Sequence, residues 1–166
     1  MKIKGKKKVE TTVFNIVKPF GVKTAKLRAD FVYNNETGIV TFSLPVFGEL
    51  EKYHCEWINT RYNIDLSDPL IYWFFSLLHE VGHHQTMINL TDEDLEFEYF
   101  MRELIDINYS DQDDSFDSTD IYFSLPAEIL ATEWALNYME NNEEWVNKNL
   151  RLITKTFNHF YNRNRR

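Results

Sequence analysis

Two histidines and a glutamate with the spacing of a metal-binding motif lie within residues 71–88, IYWFFSLLHEVGHHQTMI. His79 and His83 are four positions apart, so on a helix they lie one turn apart on one face and can bind the same metal ion. Glu80 follows the first histidine directly and is therefore placed to act on water at that ion. This H-E-x-x-H pattern predicts a metal centre and indicates hydrolytic chemistry.

The run that precedes the motif is almost wholly apolar, which predicts a buried helix. A histidine pair at the end of a buried helix needs polar partners or a ligand. The competing interpretation is that both are ordinary histidines at the end of a core helix. That interpretation suits one histidine better than two histidines four residues apart with a glutamate between them.

A zinc site in a peptidase uses three protein ligands and leaves one position open. Glu128 is the candidate for the third ligand, because it lies in the predicted first turn of a later helix. The helix dipole favours an ionised carboxylate there, and a ligand must be ionised. Acidic residues are also common in the first turn of any helix, so a purely structural role for Glu128 stays open on these grounds.

The two segments together resemble the ImmA/IrrE-type metallopeptidases, a gluzincin-like group found in bacteria, phages and mobile elements. In that group an H-E-x-G-H helix is followed by an E-x-x-A-N-x-F-A helix, and this chain has HEVGH followed by EILATEWA at residues 128–135. The resemblance implies a zincin-like fold, a Zn²⁺ ion bound by His79, His83 and Glu128, and Glu80 as the general base. It also implies a protein or peptide substrate.

Further residues can be assigned roles if the chain is such a peptidase. Thr132, one turn beyond the candidate glutamate, is placed to orient a metal ligand. A developing oxyanion needs another donor, for which His84, Tyr122 and Tyr138 are unranked candidates. The predicted strand at 38–44 offers an edge along which an extended peptide could pair.

Three other classes of protein compete with the peptidase interpretation. One is a zinc-binding regulatory or interaction protein that uses the same ligands without catalysis. A second is a helical protein without a metal. The third is a di-iron carboxylate protein, although its chain order would be unusual and it would leave His79 unused. Its ligands would be two Glu-x-x-His pairs and two single glutamates: Glu51 with His54, Glu80 with His83, Glu103 and Glu128.

Hydrophobic periodicity predicts an α+β fold that is mainly helical, with a small N-terminal antiparallel β-sheet. Two strands at 24–33 and 38–44 form a hairpin, and a third strand is predicted at 13–17. Helices are predicted at 47–62, from 69 through the motif, at 92–109, 125–141 and 143–161. The residues expected to face inward from the third of these are Leu95, Tyr99, Leu104 and Ile105.

Capping residues mark where three of these helices begin. Asp68 is a good N-cap with Pro69 as the first helical residue, and Thr91 caps the next helix. Ser124 is the predicted cap of the helix that carries the candidate glutamate. Residues 110–120, SDQDDSFDSTD, are predicted to form a polar, acidic loop.

Length and composition indicate one globular domain over residues 1–166. Hydrophobic residues make up 43% of the chain, which excludes a disordered protein. Cys55 is the single cysteine, so no disulfide can form within the chain. No apolar run approaches the length of a membrane span, and the N-terminus lacks the apolar segment of a signal peptide. A soluble cytoplasmic protein is therefore expected.

The net charge of −8 is distributed unevenly along the chain. Residues 1–29 contain nine Lys/Arg and one acid, residues 30–144 contain three and 25, and residues 145–166 contain six and none. Residues 1–12 are predicted to form a basic N-terminal arm. Basic ends that pack against the acidic middle are the simpler explanation, and contact of this arm with nucleic acid is the weaker alternative.

Overall fold

The computed structural model describes residues 5–45, 48–108 and 116–164. Helices account for 73% of the structure, and a small three-stranded sheet lies near the N-terminus. The prediction of a mainly helical α+β fold is therefore confirmed. In chain order the elements are α1 (Lys6–Val17), β1 (Thr24–Leu27), β2 (Val32–Asn34), β3 (Ile39–Phe42), α2 (Glu49–Tyr62), α3 (Pro69–Thr86), α4 (Asp92–Asn108), α5 (Phe116–Phe123), α6 (Pro126–Asn141) and α7 (Glu143–Asn164).

Helix α3, which carries the HEVGH motif, lies in the hydrophobic core and begins where the sequence predicts. The Asp68 side chain accepts hydrogen bonds from the backbone N–H groups of Leu70 and Ile71, and Pro69 is the first helical residue. The helix packs against α6, α7 and the sheet. Its fully buried side chains are Phe74, Phe75, Leu77, Leu78 and Val81.

Helices α3 and α6 come into backbone contact at Gly82. A Cβ atom at this position would lie 2.5 Å from the carbonyl oxygen of Ala131 and 2.9 Å from its Cα atom. Ala131 is fully buried in the same contact. The glycine of HEVGH and this alanine therefore set the distance between the helix that carries the histidines and the helix that carries Glu128.

The sheet is mixed, which corrects the prediction of an antiparallel sheet. Its strand order is β1-β3-β2, with β3 parallel to β1 and antiparallel to β2. The predicted strand at 24–33 is two strands that lie on opposite sides of β3. A bend at residues 29–30 separates them, and Thr41 Oγ1 donates a hydrogen bond to the carbonyl oxygen of Asp30. Apolar and polar residues continue to alternate across this bend, so the sequence pattern does not indicate that the strand is interrupted there.

Helix α1 replaces two predicted features, the basic arm at 1–12 and the strand at 13–17. It buries Val9, Val13, Ile16 and Val17 against α7 and β1, at the spacing of a helical face. Lys7 and Lys8 are exposed on the other side. Considered alone, the short apolar run at 13–17 resembles a strand. With Val9 included, the apolar positions have the spacing of a helix. Contact of these lysines with nucleic acid stays a prediction, and residues 1–4 lie outside the described ranges.

Helix α4 begins as predicted but does not bury the side chains that were expected to face inward. Thr91 Oγ1 accepts a hydrogen bond from the backbone N–H of Asp94, as expected of an N-cap. Leu95 and Tyr99 are 45% and 68% exposed, which contradicts their predicted inward positions, whereas Leu104 and Ile105 are half-buried. Among the described side chains of α4, the buried one is Glu98. This helix is therefore attached through polar contacts more than through apolar packing.

The predicted loop at 110–120 and the predicted cap at Ser124 both need correction. Residues 116–120 belong to α5, and residues 109–115 lie outside the described ranges. Leu125 precedes the first residue of α6, and the Ser124 hydroxyl donates to the carbonyl oxygen of Asp120. The serine therefore closes α5, because its hydroxyl bonds one turn back along the chain.

The last helix and the core agree with the predicted apolar pattern. Helix α7 buries Val146, Ile153, Phe157 and Phe160, while Leu150 is half-buried. These side chains join the core formed by α1, the sheet and α3. Within the described ranges, no helix is long and apolar enough to cross a membrane.

Replacing Gly82 by alanine tests the contact between α3 and α6. We expect Gly82→Ala to lower the free energy of unfolding by about 1–3 kcal/mol, because the added methyl group meets backbone atoms that cannot rotate away. The loss should appear despite a helix-propensity gain of about 1 kcal/mol. Urea unfolding beside Asn137→Ala, at an exposed position of α6, provides the measurement and its control. Equal stability of Gly82→Ala and the wild type would contradict the close approach.

Candidate metal centre

Three side-chain atoms from α3 and α6 converge at one point. The Nε2 atoms of His79 and His83 lie 3.1 Å apart. The Oε2 atom of Glu128 lies 3.1 Å from the first of these nitrogens and 3.4 Å from the second. The structure therefore brings together all three residues that the sequence suggested as metal ligands.

The spacing of these atoms fits a tetrahedral metal ion. Bonds of about 2.0–2.1 Å in a tetrahedron place the ligand atoms about 3.3 Å apart, close to the three distances found here. A hydrogen bond between two Nε2 atoms needs a proton on one of them, whereas a metal ion would engage both lone pairs. Two imidazoles and one carboxylate are also the ligand set of many catalytic zinc sites. The residues therefore fit a zinc ion.

The charges at this point keep Glu128 ionised. Its side chain is buried, and burial alone would raise the pKa of the carboxyl group. Hydrogen bonds and charge interactions with His79 and His83 outweigh that effect and hold the Glu128 pKa well below its usual range. Burial lowers the pKa of His83, but Glu128 and Glu80 more than compensate and raise it. The carboxylate is thus available as a ligand at any physiological pH.

Thr132 contacts the first histidine from behind. Its Oγ1 lies 3.2 Å from Nδ1 of His79, and both side chains are buried. When the hydroxyl accepts a hydrogen bond from Nδ1–H of His79, the other ring nitrogen, Nε2, is unprotonated and its lone pair points towards Glu128. The role predicted for Thr132, orientation of a ligand, is consistent with this contact.

Arg102 of α4 binds the other oxygen of Glu128. One guanidinium nitrogen lies 3.0 Å from Glu128 Oε1 and 2.6 Å from Glu98 Oε1. Glu98 in turn accepts a hydrogen bond from the backbone N–H of Ala127, the residue before the glutamate. Arg102 therefore occupies Oε1 and leaves Oε2 facing the histidines. Arg102 was not among the residues predicted from the sequence, although it is the single Lys or Arg between residues 62 and 147.

Glu80 lies beside the three converging atoms without being one of them. One of its carboxylate oxygens is within 4.8 Å of the ligand nitrogens of His79 and His83. Its Oε2 accepts a hydrogen bond of 2.7 Å from the backbone N–H of Tyr33 in β2. Burial raises the pKa of Glu80, although the histidines and this hydrogen bond oppose the shift. A raised pKa makes a carboxylate a better proton acceptor near neutral pH.

A cavity of about 440 Å³ opens next to these residues. Glu80, His83 and Glu128 line it on one side, and Arg102 and Tyr122 line it on another. Burial raises the pKa of Tyr122 to about 12, so its hydroxyl stays protonated and can donate a hydrogen bond. The cavity is large enough for part of a peptide and brings donors close to the candidate metal ligands.

Of the three residues considered as oxyanion donors, Tyr122 is the one that lines this cavity. The Tyr33 hydroxyl lies 2.6 Å from Nδ1 of His84, which ties α3 to β2. Tyr138 packs among aromatic rings of the core, stacked on Trp134. These contacts give His84 and Tyr138 structural roles.

The strand that borders the cavity is β2, which corrects the suggestion that a peptide could pair with the strand at 38–44. That strand, β3, is the central strand of the sheet and is bonded on both sides. Residues 31–33 and 35 line the cavity instead, and β2 is an edge strand. The predicted pairing surface was therefore assigned to the wrong strand.

The structure does not gather the ligands of the di-iron alternative. Glu51 accepts a hydrogen bond from the backbone N–H of Gly48 at the start of its own helix. His54 contacts the Tyr72 hydroxyl, and Glu103 accepts a hydrogen bond from the exposed Tyr99. Glu51 and Glu103 are therefore engaged away from the histidine pair. His54 lies nearer: burial, reinforced by the charge of His79 and opposed by that of Glu128, lowers its pKa to about 3.

Comparison with known proteins gives no match to a family model, to a curated protein or to a solved structure. The assignment of a function therefore depends on the motif and on the geometry of the site.

Replacing Thr132 by valine tests the contact with His79. Valine has a similar shape but no hydroxyl, so the imidazole loses the partner that orients it. We expect Thr132→Val to weaken zinc binding by about 10-fold, at the low end of the range for such partners. Competition titration with a coloured chelator measures this affinity, and Thr154→Val on the exposed side of α7 is the control. Equal zinc affinities of Thr132→Val and the wild type would show that the contact has no orienting role.

Proposed function

We propose that this protein is a zinc-dependent metallopeptidase that hydrolyses peptide bonds in a protein or peptide substrate. The observation that carries the proposal is the mutual spacing of His79 Nε2, His83 Nε2 and Glu128 Oε2, which matches a tetrahedral ion. The half-buried Glu80 beside them and the adjacent cavity add the parts that a hydrolase needs. The motif resemblance to ImmA/IrrE-type peptidases supports the same assignment.

The ion would be held by His79, His83 and Glu128. Arg102 would keep the glutamate in position. A bound zinc ion would polarise the scissile carbonyl group and lower the pKa of water. The guanidinium of Arg102 keeps Glu128 Oε1 occupied, so the carboxylate presents one oxygen to the ion. Thr132 keeps His79 in the orientation in which Nε2 faces the site.

Glu80 would transfer the proton during hydrolysis. Its carboxylate accepts a proton from the attacking water and returns it to the leaving amine. Burial favours this role by raising the Glu80 pKa. Tyr122 and Arg102 face the same cavity and would donate hydrogen bonds to the oxygen on which negative charge develops.

Location in the cytoplasm belongs to the same proposal. Cys55 is a buried free thiol, which suits a reducing compartment.

One observation favours the alternative of a zinc protein without catalysis. The hydrogen bond from the Tyr33 backbone to Glu80 stabilises the ionised carboxylate and makes it a weaker base. In that case the metal centre would have a structural or regulatory role with the same three ligands. Metal content and turnover must therefore be measured separately.

Metal content tests the ligand set. We expect one zinc per wild-type chain, and loss of most of it in His83→Ala and in Glu128→Gln, because each removes one of three ligands. His159→Ala and Glu140→Gln alter exposed residues of α7 and α6 and should keep the metal. Elemental analysis after dialysis gives the stoichiometry. A wild-type protein that binds no zinc would overturn the proposal.

Turnover tests the peptidase role. Wild-type protein loaded with zinc should cleave unstructured peptides, with products identified by mass spectrometry. Glu80→Gln should keep its zinc and lose at least about 100-fold in rate, because the general base is removed. Glu133→Gln, on the exposed side of α6, should be unaffected. Zinc-loaded wild type that cleaves none of a diverse peptide set would support the non-catalytic alternative.

A further inference from the structure

Four exposed apolar side chains surround the mouth of the cavity next to the candidate metal centre. They are Val32 from β2, Met87 from the turn after α3, and Leu95 and Tyr99 from α4, and we call them the rim. Their exposed fractions range from 45% to 68%. Large apolar side chains that cluster around a concave surface mark sites where another molecule binds. The rim is contributed by three separate elements, so it is a property of the fold at this point.

The charge around the rim is negative. Three carboxylates and one guanidinium line the cavity itself, and a bound Zn²⁺ would cancel their net negative charge, so the remaining negative charge lies on the exposed surface beside the rim. The exposed side chains of Asp92 and Glu96, each three residues before one of the two rim side chains of α4, place negative charge next to the rim. Residues 30–144, which contain the whole site, have 25 acids and three Lys/Arg. A partner with positive charge is therefore attracted, and one with negative charge is repelled.

We propose that the cavity and its rim bind an extended protein segment that combines basic with apolar side chains. The apolar side chains would pack on the rim, and the basic side chains would face Asp92 and Glu96 beside it. This proposal names the substrate class of the peptidase described above and rests on that function. The binding surface itself does not need the chemistry, because the rim side chains are not among the candidate metal ligands His79, His83 and Glu128.

Leu95 and Tyr99 are distinguished by their position at the cavity, since Phe97 and Phe100 of the same helix are similarly exposed but do not line it. A helix that closes a domain turns its apolar stripe inward, whereas α4 turns a glutamate inward and leaves Leu95 and Tyr99 at the cavity. The buried Glu98 is explained by its contacts with Arg102 and Ala127. The inward face of α4 thus supports the metal centre, and its apolar side chains remain available to a bound segment.

Binding is measured with zinc-loaded Glu80→Gln protein, so that a bound peptide is not cleaved. Three labelled synthetic peptides of equal length are compared by fluorescence anisotropy. The first is built from lysine and leucine, the second from glutamate and leucine, and the third from lysine and serine. The first should bind at least about 10-fold more tightly than either of the others. Its affinity should fall as salt is raised, because exposed charges are screened. Equal binding of the first two peptides would overturn the proposal.

Rim variants locate the surface. Leu95→Ser combined with Tyr99→Ser should weaken binding of the lysine-leucine peptide at least about 10-fold. Leu152→Ser is the matched control, since Leu152 is an equally exposed leucine on α7. Asp92→Asn with Glu96→Gln should weaken binding of the same peptide several-fold, and Glu133→Gln with Glu140→Gln should not. Circular dichroism verifies folding of each variant, which exposed substitutions should preserve.

The outcomes separate this proposal from the peptidase assignment. If the lysine-leucine peptide binds tightly but the wild type does not cleave it, the proposed binding surface is supported and the peptidase assignment is contradicted. If glutamate-leucine peptides are cleaved as fast as lysine-leucine peptides are, the peptidase assignment is supported and the proposed substrate class is contradicted. Sedimentation that shows a dimer abolished by the Leu95 and Tyr99 substitutions, with no peptide binding, would mean that a second copy of the chain covers the rim.

Discussion

The backbone contact between Gly82 and Ala131 is the constraint on which the candidate site depends. His79 precedes Gly82 by three residues and Glu128 precedes Ala131 by three residues, so each lies on the same helical face as its small neighbour. A larger side chain at the contact would move the two helices apart and separate the imidazole from the carboxylate. The apolar core around α3 holds this helix in place. Packing therefore positions the groups that would perform the chemistry.

The second requirement is that a buried carboxylate keeps enough partners to remain charged. Burying an isolated charge is costly, and Glu128 avoids that cost through the two histidines on one oxygen and Arg102 on the other. Through Arg102, helix α4 becomes part of the site although it contributes no buried apolar side chain among those described. Elements held by few apolar contacts have lower local stability. Helix α4 lines the cavity, so lower stability there would help a substrate to enter.

Local signals explain why much of the site could be predicted from the sequence. The HEVGH spacing, the cap at Asp68 and the position of Glu128 at the start of α6 all depend on neighbouring residues, and the structure agrees with each. Arg102 could not be predicted, because its contact with Glu128 joins residues 26 positions apart. Strand pairing is also non-local, so the parallel partner of β1 was missed. The apolar run at 13–17 is too short to distinguish a strand from part of a helix.

The central claim is that His79, His83 and Glu128 hold one metal ion between them. Crystals of the wild-type protein grown with zinc, with diffraction data on both sides of the zinc absorption edge, test it most directly. The account predicts one strong anomalous peak about 2.0–2.2 Å from His79 Nε2, His83 Nε2 and a single oxygen of Glu128, with Arg102 on the other oxygen. Zinc bound at other residues, with no peak among these three, would contradict it.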